Sequence, residues 1–83
     1  MDYDENWGIA FARIDDFFSS QRDVKRISEC SFSFGEAKIE LQELPEKRMG
    51  SLCMARTRVR ISGESDADEI YHRFFLRFLS AGG

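Results

Sequence analysis

Three arginines, Arg56, Arg58 and Arg60, recur at every second position of the stretch MARTRVRIS, a spacing that could do chemistry. On an extended strand it puts all three guanidinium groups on one face, where they could grip successive phosphates of a nucleic acid. Their expected companions argue against that use. A sheet that holds single-stranded RNA interleaves aromatic rings with its cations so that bases can stack. The residues expected beside this stripe are Glu29, Ser31, Ser33, Lys38, Glu40 and Gln42, and none carries a ring. Overall charge points the same way: 12 Lys and Arg against 15 Asp and Glu give −3, whereas nucleic-acid-binding domains are typically basic. The stripe therefore reads first as the solvated side of a sheet, with Glu40 as an ion-pair partner, and a weak nucleic-acid contact is the alternative.

The other chemically capable residues are sparse. Asp68 precedes His72, the sole histidine, by one helical turn, a spacing that can orient an imidazole for proton transfer. No nucleophile is placed beside the pair by sequence, and no Gly-rich phosphate loop occurs, so an enzyme is not expected and a hydrolase around His72 is a distant third reading. Cys30 and Cys53 belong to no C-x-x-C or histidine-containing cluster. They are expected to be buried, reduced thiols, with no metal and no cofactor.

Elements must position these residues. Trp7, Ala10, Phe11, Ile14, Phe17 and Phe18 fall within one stripe at helical spacing and predict an amphipathic helix from Glu5 to about Ser20, with Asp2, Asp4 and Glu5 at the positive end of its dipole. In SFSFGEAKIEL the apolar positions are even up to Phe34 and odd from Ala37. A two-residue hairpin at Gly35-Glu36 restores the phase, with Phe34 facing Ala37, Phe32 facing Ile39 and Cys30 facing Leu41. LPEKRMG reads as a loop, followed by a strand from about Ser51 to Ser62 that turns Val59 and Ile61 inward and the arginines outward. A second helix, capped by Ser65, runs to about Ser80 and stops at Gly82-Gly83.

The expected fold is a single α+β domain over residues 1–83: an αβββα order, a three-stranded antiparallel sheet, and two amphipathic helices packed on one face. Double-stranded RNA-binding domains share that element order. There, however, the second helix begins with basic residues, where this chain has SGESDADE. No apolar run approaches the ~20 residues of a spanning helix, and MDYDEN is acidic where a signal peptide is basic, so a soluble, cytoplasmic protein is expected.

Function is then sought in surplus apolar surface. In the second helix Phe75, Leu76 and Leu79 widen the apolar arc well beyond what a helix on a sheet requires. Leu52 and Met54 add a smaller spot at one end of the open sheet face. The expectation is a protein-binding module, for a partner protein or for a second copy in a homodimer, with Phe75, Leu76, Leu79, Leu52 and Met54 as contacts.

Overall fold

The computed structural model describes residues 1–79 in seven elements: β1 (Tyr3–Trp7), α1 (Phe11–Ser19), β2 (Lys25–Ser28), β3 (Ser31–Phe34), β4 (Ala37–Met49), β5 (Leu52–Ser62) and α2 (Ser65–Leu79). The strands form one antiparallel sheet in the order β1-β5-β4-β3-β2, with both helices on one face. The α+β class holds, but the three-stranded αβββα expectation is corrected to five strands in a βαββββα order.

The β3–β4 hairpin forms where the apolar phase flips. Phe34 lies opposite Ala37 and Phe32 opposite Ile39, with all four side chains buried toward the helices. Gly35 has φ +59° and, among the described residues, no non-glycine residue has positive φ, which suits a type II′ turn and excludes type I′. The Leu41 N–H donates to the Cys30 carbonyl at 2.8 Å, but Cys30 itself precedes β3 and its side chain is exposed. Cys53 is exposed as well, so the expectation of two buried thiols fails.

Three corrections account for the two added strands and the longer β4. β1 was hidden because Trp7 lies at helical spacing from Phe11, Ile14 and Phe18, whereas Tyr3 and Trp7 also fit a period of two. The strand wins because β5 offers an outer edge at residues 57–61, and pairing there seats Trp7 edge-on against Phe74 at 4.9 Å. Helix α1 starts only at Phe11, and the acids expected at its dipole serve elsewhere: Asp2 accepts the Gly63 N–H, Asp4 holds Arg58, and Glu5 accepts the Tyr71 hydroxyl. β2 gave no signal because all four of its residues are exposed. It is held by Arg26, which reaches Asp15 of α1 and lies 4.7 Å over the Phe32 ring. Finally, LPEKRMG is mostly strand. Pro45 and Glu46 form a bulge between the pairs Leu44–Arg56 and Lys47–Met54, and the chain turns only at Gly50-Ser51.

The distal half of the β4–β5 hairpin thus projects beyond the helices as an arm, and the molecule measures 42 × 24 × 21 Å. The core fills the other end: Ile14, Phe18, Phe32, Ile39, Ile61, Ile70, Phe74 and Phe78 are essentially inaccessible. At α2 the expected Ser65 cap moves by one, since the first helical bonds are accepted by the Glu64 carbonyl. The expected end at Ser80 and Gly82-Gly83 lies outside the described residues.

Candidate functional site

Helix α2 seats itself through Ala67, Ile70, Phe74 and Phe78, whose 3–4-residue spacing makes one buried stripe. Helix α1 covers one shoulder of that stripe. Phe17 meets Phe74 and Phe78 at 6.1 and 5.6 Å, and a groove of about 490 Å³ runs between Arg13, Asp16 and Phe17 on one helix and Arg77 and Phe78 on the other. β1 covers the opposite shoulder. Tyr3 stacks on Tyr71 with centroids 3.8 Å apart, and the two hydroxyls cross-bond, Tyr3 to Asp68 and Tyr71 to Glu5, each at 2.7 Å. Burial, and then the bond to Glu5, push the Tyr71 hydroxyl up to about 12.

This arrangement sorts the expected flank residues. Phe75 is drawn half under, edge-on to Trp7 at 6.0 Å and beside Tyr71. Leu76 and Leu79 are left 58% and 54% exposed on the side of α2 that neither α1, the sheet nor β1 reaches. Leu52 and Met54 do not join them. Both sit on the arm, at 73% and 45% exposure, with side chains on the open face of the sheet, opposite the helices. Met49, directly across from Leu52 and 56% exposed, belongs to the same spot. It was missed because the reading of Pro45 as a loop took Met49 out of any strand pattern.

The arginine stripe does lie on the open face, but its main partner is Asp4 of the unforeseen β1 rather than Glu40. Arg58 Nε and Nη2 donate to the two Asp4 carboxylate oxygens at 2.8 and 2.7 Å, and Arg60 Nε stands 3.9 Å from the same group. Arg58 holds the Asp4 carboxyl below the usual carboxylate range. Glu40 faces Arg60 across the ladder without a short bond. Arg56, opposite Leu44, has a buried Nε with no hydrogen-bond partner. Following the ladder, this face presents Lys25, Lys38, Lys47, Arg56, Arg58 and Arg60 against Asp4 and Glu40, an excess of four positive charges in a chain of net charge −3. The rest of the surface, helices included, is correspondingly acidic.

Asp68, expected as a possible partner of His72, is instead engaged by the Tyr3 hydroxyl and lies 3.7 Å from the N-terminal ammonium. His72 is exposed on the outer side of α2, one turn before Leu76. Among the described residues no group of three or more His, Cys, Asp or Glu side chains could hold a metal ion, and no helix is long and apolar enough to cross a membrane. The chain matches no protein-family model and no curated protein sequence.

Proposed function

We propose that this chain is a non-catalytic protein-binding module whose contact surface is the outer flank of α2, formed by Leu76 and Leu79 with the half-buried Phe75 beside them. The observation that carries the reading is the placement of the covering elements. A flanking helix would be the ordinary lid for such an arc, but α1 packs on the other shoulder of α2, and β1 reaches only as far as Phe75. Two leucines one turn apart and each more than half exposed supply the apolar anchors that a partner's pocket or groove requires.

A nucleic-acid reading of the open sheet face is weaker. The excess positive charge supports it, but Arg58 is already held by Asp4, and the rings of Phe32, Phe34, Tyr3 and Trp7 all lie on the helix side.

The reading is tested by Leu76→Glu. Because the side chain is exposed, the substitution should change stability by no more than about 0.5 kcal/mol, and circular dichroism should show an unchanged melting curve. Proteins retained from the native extract by the wild-type domain should be lost from the variant. An unfolded variant would show that the flank is core, and a folded variant that retains the same proteins would move the contact elsewhere.

A further inference from the structure

The sheet has four strand edges open to a partner, and three of them carry features that resist strand addition. β1 is five residues long with Asp4 and Glu5 at its centre, and β2 is four residues with Lys25, Arg26 and a bulge. The outer edge of β4, free beyond its pairing with β3, carries Pro45, a bulge and the charges of Glu43, Glu46, Lys47 and Arg48. The fourth is different. β1 pairs with β5 only at residues 57–61, so on that side the backbone of β5 from Leu52 to Arg56 has no strand neighbour, and among the described residues no other backbone group bonds to it. Its sequence up to Ala55, Leu-Cys-Met-Ala, has no proline, no glycine and no charge.

We propose that this edge pairs with the same edge of a second copy, antiparallel about a two-fold axis at Cys53. In that register Cys53 faces its own copy, Leu52 faces the other copy's Met54, and Ser51 faces Ala55. Length permits it: the unpaired stretch of β5 from Leu52 to Arg56 takes Met54, Cys53 and Leu52 of the other copy as strand partners and then its turn residues Ser51 and Gly50, so each copy's turn ends where the other's pairing with β1 begins at Thr57. Side chains support it. Cross-strand partners share a face, so Met49 and Leu52 of one copy and Met54 of the other become one continuous apolar row on the open face, repeated by symmetry. Those three residues are among the most exposed large apolar side chains of the chain, and no like charges are brought into direct opposition. The contact is separate from the α2 flank, so either can fail without the other.

Sedimentation of the purified chain over the micromolar to sub-millimolar range should show a monomer–dimer equilibrium; a monomer throughout overturns the proposal. Cys53→Lys and Cys53→Glu each place like charges on the axis and should each be monomeric, whereas an equimolar mixture should dimerise. Single variants that still dimerise, or a mixture that stays monomeric, put any contact elsewhere. A fold-independent check uses Cys30→Ser. Diamide, taking two electrons and two protons from a pair of thiols, should link the dimer through Cys53, because directly opposed side chains in an antiparallel pair lie within disulfide reach. Absence of the linked dimer contradicts the register.

Discussion

Replacing Phe74 by alanine is expected to destabilise the domain by about 3–5 kcal/mol, the largest effect of any single truncation considered. Phe74 is fully buried, and its ring is the meeting point of three elements: Trp7 of β1 at 4.9 Å, Phe17 and Phe18 of α1 at 6.1 and 5.5 Å, and Phe78 of α2 at 5.2 Å. Alanine leaves a cavity that none of these rings can collapse into without releasing another. Domains of this size have only about 5–15 kcal/mol of stability in total, so the thermal midpoint should fall by well over ~10 °C. Thermal unfolding followed by circular dichroism measures it, with Leu76→Ala as the exposed control on the same helix. Equal losses from the two truncations would mean that α2 is not seated by its Phe74 face.

The second large effect is expected from Gly35→Val, at about 2–4 kcal/mol. Two causes add. The backbone at φ +59° is in the left-handed region that a β-branched side chain occupies only under strain. A Cβ there would also stand 2.3 Å from Asp66 Oδ2, displacing the carboxylate that accepts the Glu36 N–H at 2.9 Å. The substitution therefore strains the β3–β4 turn and detaches it from the first turn of α2. Gly35→Ala should show a smaller loss of the same sign, and denaturant titration of the pair checks the order. Neutral behaviour in both would contradict the turn geometry.

What could be read from the residues, and what could not, follows from where each signal originates. The hairpin at Gly35 was legible because both of its strands are one-sided and the phase flip is local. The inward set of β5 and the buried stripe of α2 were legible for the same reason. β1 and β2 were not, since each is an edge strand whose existence depends on a free edge distant in sequence. Trp7 is consistent with either periodicity until β5 is present, and Lys25–Ser28 buries nothing. Pro45 is a breaker in a central strand, but here it sits at a bulge on an open edge, where the missing N–H leaves no ladder bond unmade.

The candidate site was legible in part. Leu76 and Leu79 followed from the width of the helical arc, but Phe75 could not be separated from them without knowing that Trp7 comes from a strand. The main partner of Arg58 was missed for the same reason, because Asp4 reaches the open face only when β1 pairs with β5.

The central claim, that the Leu76–Leu79 flank is a protein-binding surface, is tested most directly by placing a benzophenone side chain at position 76 in the full chain in its native cells and irradiating. The control carries the same group in place of Lys38, exposed on the open face of the sheet opposite the helices. Discrete adducts formed at position 76 and absent at position 38 are the predicted result. No adduct at position 76, or the same adducts from both positions, would contradict it.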